Sequence, residues 1–237
     1  MGVNLKVGAF VGLNKVLKKY SVKELAQNFY PNRRDIQYVI NSNLSGLKTE
    51  FPDVYKNIFS YNHKRDCRYP IEHAQDVIAS WVMEDIFRNY YSSTGCKFVL
   101  SGSDKERRFR PDHEITNSSD FNVQLNGGLY SVELMTDYTG YIKDNGVLHL
   151  RDNKYSNLKN KQAFLLVLSM VDKTFLLIDT TTLTNVKYLE HHKNFGDKPA
   201  NEIRVNTDKF IPLDKIAIKN ALVNMVNLRR ENHNLWN

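Results

Sequence analysis

Hydrophobic positions along the chain switch between two periods. Between residues 71 and 91 they recur at helical spacing, with Ile71, Ala74, Val77, Ile78, Trp81, Val82 and Ile86 on one face, and Gly95 ends the run. A short strand is expected at Lys97 to Leu100. From Asp120 to Leu125 the period falls to two, with Phe121, Val123 and Leu125 alternating against Asp120, Asn122 and Gln124. Asn126-Gly127-Gly128 is a hairpin signal, so Leu129 to Asp137 is expected to return as the antiparallel neighbour. A helix-prone stretch, Arg151 to Lys161, precedes an unbroken apolar strand, Phe164 to Val171. Asp172-Lys173-Thr174 turns the chain into a further strand, Phe175 to Ile178, and Ile216 to Arg230 is again helical. This order predicts an α/β core, a mixed central sheet flanked by helices.

The first 70 residues differ in kind. Ser21 and Glu24 form a capping box ahead of Val22, Leu25, Ala26 and Phe29, and Pro31 ends that helix. Ile36, Val39 and Ile40 mark a second helix within Arg33 to Asn43, and Gly46 breaks the chain before Leu47 to Phe59. The expected division is therefore a helical subdomain over 1–70 and a core over 71–237. In the functional reading the subdomain is a DNA clamp, with Arg33, Arg34 and Lys48 on phosphate or bases. In the structural reading it is a cap over one side of the core.

Charge narrows the partner. The chain carries 33 Lys+Arg against 26 Asp+Glu, a net charge of +7, which favours an anionic partner and nucleic acid ahead of membrane. A basic excursion, Ser101 to Arg110, holds Lys105, Arg107, Arg108 and Arg110 just before the acidic strand. That segment is read as phosphate-contacting, against the alternative of a solvated loop.

The two cysteines, Cys67 and Cys96, form no C-x-x-C pair, which argues against a zinc ribbon or a thioredoxin motif and for reduced thiols in a cytoplasmic protein. The N-terminus does not read as a signal peptide, and the apolar run Ala163 to Val171 is far below the ~20 residues of a membrane helix. No phosphate-cradling G-x-x-x-x-G-K-[ST] loop, no G-x-S-x-G elbow and no dinucleotide fingerprint occur, so no nucleotide cofactor is expected. His191-His192 is an adjacent pair without metal-ligand spacing.

The candidate chemistry lies in the hairpin. Glu133 follows Asp120 by thirteen residues, and a tight turn at Asn126 to Gly128 brings the two carboxylates onto neighbouring strands. Glu133, Met135 and Asp137 share one face, with Val132 and Leu134 on the other. Glu133 sits between apolar neighbours, where a carboxylate needs a partner or a metal. Two carboxylates beside a run of arginines and lysines suit a magnesium-dependent phosphodiesterase, because Mg2+ is a hard ion that takes oxygen ligands and offsets the charge developing on phosphorus.

The series Glu84 on the long helix, then Ser118-Ser119-Asp120-Phe121-Asn122-Val123, then Tyr130-Ser131-Val132-Glu133-Leu134-Met135-Thr136-Asp137 resembles the PD-(D/E)xK nuclease superfamily. Its pattern is a helix glutamate, a strand, an aspartate on the second strand and (D/E)-x-K on the third. Thr139-Gly140-Tyr141 and Leu150-Arg151-Asp152-Asn153-Lys154-Tyr155 are similar to restriction endonucleases of this fold, and the resemblance spans roughly residues 71–180. A literal Pro111-Asp112 pair also occurs, and Asp120 is preferred to it because Asp120 opens an alternating strand.

The resemblance implies a restriction-endonuclease-like core and a type II restriction enzyme that hydrolyses double-stranded DNA at a short sequence as a homodimer. Asp120 and Glu133 would bind Mg2+, and Glu84 would assist. Two other readings stay open, a DNA-binding protein on an inactive nuclease scaffold and a structure-specific repair or recombination nuclease. The structural alternatives are a solvated Glu84 and a strand-initiating Asp120.

One departure matters: the motif lysine is Met135 here. Lys154 is expected to replace it, with Lys143 behind it. The alternatives are a metal-only mechanism drawing on a further carboxylate such as Asp137, or loss of catalysis.

DNA binding should weaken with salt by about 0.9 log unit per log unit for each neutralised phosphate. Reversing Arg107 and Arg108 to Glu should flatten that slope. An unchanged slope would make the Lys105 to Arg110 segment an ordinary solvated loop.

Overall fold

A computed structural model describes residues 80–81, 83–84, 87–88, 91, 96–102, 105 and 118–234. The helices expected within 1–70, and most of the stripe from Ile71 to Ile86, lie outside those residues. The chain divides into two compact units, 1–89 with 102–116 and 90–101 with 117–237. In the first, the described positions between Ser80 and Arg88 are helical, with Trp81, Met83, Glu84 and Phe87 buried.

The second unit is built on a hairpin whose turn chemistry is explicit. Asn126 (φ 48°) and Gly127 (φ 78°) both take left-handed backbone, the requirement of the tight turn that matches strand twist, and Asn-Gly meets it at least steric cost. The turn joins β2 (Phe121–Leu125) to β3 (Gly128–Asp137), and β1 (Lys97–Leu100) lies antiparallel on the far side of β2. The register pairs Phe121 with Val132 and Leu125 with Gly128.

The chain then leaves the sheet through α1 (Tyr141–Asn145), β4 (Val147–Arg151) and α2 (Asp152–Asn160). It returns as β5 (Phe164–Ser169), which runs parallel to β3 from Val132 opposite Phe164 to Asp137 opposite Ser169. Every residue of β5 is buried, as its unbroken apolar run requires of a strand covered on both faces. The strand β6 (Thr174–Asp179) follows antiparallel.

A second sheet was not expected from the sequence. β7 (Val186–His192) and β8 (Lys198–Arg204) join β4 in the order β4-β8-β7, and β9 (Ile211–Pro212) completes the six-stranded sheet β1-β2-β3-β5-β6-β9. Pro199 argues against a central strand, because proline has no N–H for the ladder. It is accommodated because β8 pairs with β4 only from Ala200 onward, and a bulge between Leu189 and His192 interrupts its pairing with β7.

The expected strand Phe164 to Val171 ends two residues early, where Lys173 (φ 54°) closes the turn into β6. The expected helix Arg151 to Lys161 starts one residue later, because Arg151 belongs to β4.

A hydrophobic core covers one face of the main sheet. There Leu165, Val167, Leu176 and Ile178 pack with Leu148, Leu150 and Leu158 from the crossover. At about 1.5–3 kcal/mol for each fully buried side chain of this size, this cluster is what holds α2 on the sheet. The other face carries Phe164, whose ring lies 4.1 Å from the Arg229 guanidinium of α3 (Lys215–Asn234). Arg229 also grips Asp179 at the end of β6, with Nε to Oδ2 at 2.9 Å and Nη2 to Oδ1 at 2.5 Å, and Nη1 donates to the Gln162 carbonyl at 2.8 Å.

Burial raises the pKa of the Asp179 carboxyl, but the bonds from Arg229 and from Thr181 outweigh it and hold it below the ordinary 3.8. The stabilisation is therefore complete above pH 3.8 and lost as pH falls through the depressed folded value. Arg229→Met should cost about 3 kcal/mol at pH 7 in denaturant unfolding, the low end for breaking a buried pair. The deficit against wild type should shrink below pH 3.8. A deficit constant into strong acid would show that the pair contributes nothing.

Candidate active site

The register Phe121 to Val132 sets the next antiparallel position, Asp120 opposite Glu133. Alternation places both on the sheet face that also carries Asn122 and Ser131, whose side chains meet at 3.4 Å. Asp120 Oδ2 accepts a hydrogen bond from the Leu134 N–H at 2.8 Å, which ties this carboxylate to the strand of Glu133. The segment before β2 is closed from β1, because Ser101 N donates to the Asp120 carbonyl at 2.9 Å and Ser101 Oγ to the Ser119 carbonyl at 2.5 Å.

Glu133 is 8% exposed, with Leu165 beside it on β5. Lys154, the third residue of α2, reaches down from the crossover and places Nζ 2.6 Å from Glu133 Oε1. Helix geometry explains the reach. Leu158, one turn on, is fully buried in the core beneath α2, so the same helix face turns Lys154 toward the sheet. Asp152 anchors the start of α2 by accepting from Asn201 Nδ2 of β8 at 2.8 Å.

The structure thus brings together three of the expected site residues, Asp120, Glu133 and Lys154, all within the second unit. Glu84 is not the solvated residue of the structural alternative: it is 4% exposed, on the helical segment of the first unit.

Met135, at the motif-lysine position, packs partly buried against the cluster of Leu165, Val167 and Leu158, which explains an apolar side chain there. Lys143 is directed elsewhere, 3.5 Å from Asp172. Asp137 is not a spare ligand. Its Oδ1 accepts from Thr139 N, Thr139 Oγ1 and Gly140 N, and its Oδ2 from Ile142 N, all at 2.8 to 3.0 Å. This carboxylate organises the entry to α1. Of the expected DNA contacts, Lys105 is exposed in the first unit. Arg33, Arg34, Arg107, Arg108 and Arg110, like Asp112, lie outside the described residues.

Sequence reasoning passed over Lys161, whose Nζ donates to Ser118 Oγ at 3.1 Å. The signal was available: Lys161 is seven residues from Lys154, two turns along the same helix face.

Among the described residues no group of three or more His, Cys, Asp and Glu side chains is arranged to hold a metal ion. Mg2+ does not require such a cage, because it keeps several waters and binds through one or two carboxylates and substrate phosphate. The oxygen donors of Asp120 and Glu133 fit it.

Comparison of the chain with protein-family models, with curated proteins and with solved structures finds no match to any of them.

Asp137→Ala would strand the backbone N–H groups of Thr139, Gly140 and Ile142. It should cost about 2–4 kcal/mol in chemical unfolding, since each buried donor left unsatisfied costs roughly 1–3 kcal/mol. A loss below about 0.5 kcal/mol, the ordinary surface level, would return Asp137 to the pool of candidate ligands.

Proposed function

We propose that the chain is a magnesium-dependent endonuclease with a restriction-endonuclease-like core, hydrolysing phosphodiester bonds of double-stranded DNA at a short sequence. A homodimer matched to a two-fold symmetric site is part of this reading. The observation that carries it is the 2.6 Å contact of Lys154 with Glu133. A nuclease of the resembled pattern needs an ammonium beside its strand carboxylates, Met135 lacks one, and the crossover helix provides it. The succession from β1 through β3, with Asp120 just before β2 and Glu133 on β3, supports the same reading.

Asp120 and Glu133 would hold Mg2+, which when bound supplies charge neutralisation at the phosphate and acidifies water. Hydrolysis joins a water oxygen to phosphorus and breaks the bond from phosphorus to the leaving deoxyribose oxygen, which takes up a proton from solvent as the attacking water gives its proton up to solvent. Lys154 would exchange its bond to Glu133 for a bond to a non-bridging phosphate oxygen, where its fixed charge favours the transition state. Leu158 and Asn201 keep the helix from moving as it does so. A second reading, DNA binding on an inactive scaffold, draws on the same contact, because an ammonium on Glu133 also satisfies a buried carboxylate.

Purified protein incubated with phage DNA should yield discrete fragments with Mg2+ and none with EDTA. A smear would indicate cutting guided by DNA shape, and intact DNA with a gel shift would favour the inactive scaffold. Glu133→Ala and Asp120→Ala should abolish cutting while DNA binding persists. Lys154→Met should slow it on the order of 10²-fold or more, the usual scale for a positioned proton-transfer or electrostatic group. Near wild-type cutting by Glu133→Ala would remove the assignment.

A further inference from the structure

We propose that a basic cavity at the leading end of β3 is a phosphate-binding subsite for the DNA strand entering the candidate active site. The inference rests on the nucleic-acid reading above. The cavity exists because two parallel strands differ in length. β3 has ten residues and β5 six, and they pair only from Val132 onward. Leu129, Tyr130 and Ser131 therefore extend past the start of β5, and the turn at Lys161 and Gln162 lines the space where that strand would continue.

The end of α3 closes the space with Val226, Arg229 and Arg230, leaving a cavity of about 450 Å³. At roughly 30 Å³ per water, that is about fifteen waters, room for a phosphodiester with its sugar.

The chemistry of the lining selects an anion. None of its residues is acidic, and three are cationic. Arg229 is matched by Asp179 and serves as a fixed wall. Lys161 and Arg230 face no carboxylate within the lining. Lys161 gives one bond to Ser118 Oγ, and an ammonium has three donors. Arg230 uses Nη2 on the Asn126 carbonyl at 2.8 Å and on the Tyr130 hydroxyl at 3.3 Å, which leaves its Nη1 and Nε edges for a ligand.

The Tyr130 hydroxyl accepts from Arg230 and keeps its own proton to donate. A Cβ on residue 128 would come within 2.7 Å of that hydroxyl, so Gly128 makes room for it. Arg and Lys flanking a tyrosine hydroxyl are a phosphate-binding set.

The cavity and the candidate site meet around the leading end of β5, because Tyr130 lies on the Phe164 face of the sheet and Ser131 and Glu133 on the Leu165 face. Ser131 lies two residues before Glu133 on one face of β3, about 7 Å away at the usual strand rise. Lys161 lies seven residues after Lys154 along α2 and the turn that follows it, about 10 Å at the usual helical rise. A backbone passing from the cavity around that end of the sheet toward Glu133 would meet Lys161 and then Lys154.

The test uses the full-length protein, a short duplex DNA of fixed length and EDTA to prevent cutting. Wild-type affinity is measured from 50 to 200 mM salt. Lys161→Gln with Arg230→Gln should flatten the log–log slope by about 1.8, so affinity falls about 12-fold less across that range. Lys161→Arg with Arg230→Lys, which keeps the charge, should hold the wild-type slope. This charge-preserving pair separates lost phosphate contacts from a damaged fold.

Wild-type binding with an unchanged slope in the Gln pair overturns the subsite and leaves the endonuclease reading standing. Equal flattening in both pairs also overturns it, because charge would not be the cause. Wild-type protein that neither binds nor cuts DNA with Mg2+ removes both.

Discussion

The parallel pairing of β3 with β5 is the constraint on which the second unit depends. Antiparallel neighbours need only a tight turn, as Asn126-Gly127 supplies between β2 and β3, but parallel neighbours require the chain to cross back over the sheet. The crossover runs from residue 138 to residue 163 and carries α1, β4 and α2. Its apolar side chains, Ile142, Leu148, Leu150 and Leu158, bury themselves on the sheet face of Leu165 and Val167. Packing thus decides where α2 lies, and α2 decides where Lys154 reaches. The second sheet then holds the crossover from outside, through β8 on β4 and through Asn201 on Asp152.

Three buried carboxylates in this unit show how the same residue type divides between architecture and chemistry. Asp137 is saturated by four donors from its own downstream loop and shapes the chain where it leaves the sheet. Asp179 takes a two-pronged guanidinium that pins α3 to the end of β6. Glu133 meets an ammonium carried on a flexible stem from another element. A backbone-saturated or fork-gripped carboxylate is committed to structure, because releasing it strands several donors. A carboxylate that meets an ammonium on a flexible stem is able to exchange that contact for a cation or a substrate group, which is why the proposed chemistry centres on Glu133.

The leading end of β3 joins these themes. The hairpin strand extends four residues past the strand that would cover it, and the α3 segment anchored by Arg229 brings Arg230 to the gap. The anchor itself is electrically neutral overall, so the positive charge of the cavity resides in Lys161 and Arg230.

By itself the sequence determined the local events. Alternation and an Asn-Gly pair specified the β2–β3 hairpin to within a residue, since a two-residue turn with both φ positive leaves few other choices. The same alternation put Asp120 opposite Glu133 and both on one face, and an unbroken apolar run marked β5. Beyond this the sequence was silent or misleading, because the deciding interactions are non-local. β7 and β8 are largely polar, and β8 contains Pro199; they become strands because β4 offers an edge to β8 and β8 in turn offers one to β7. Asp137 and Glu133 look equivalent four residues apart on one face of the strand, and only the loop folding back to Asp137 separates their roles. Met135 is apolar because the core reaches it, and Lys154 meets Glu133 because the crossover must return over the sheet. The cavity at Lys161 and Arg230 brings together residues 129 to 230, and its existence depends on the unequal lengths of β3 and β5. Local periodicity reports which face a side chain takes; only tertiary packing decides what waits on that face.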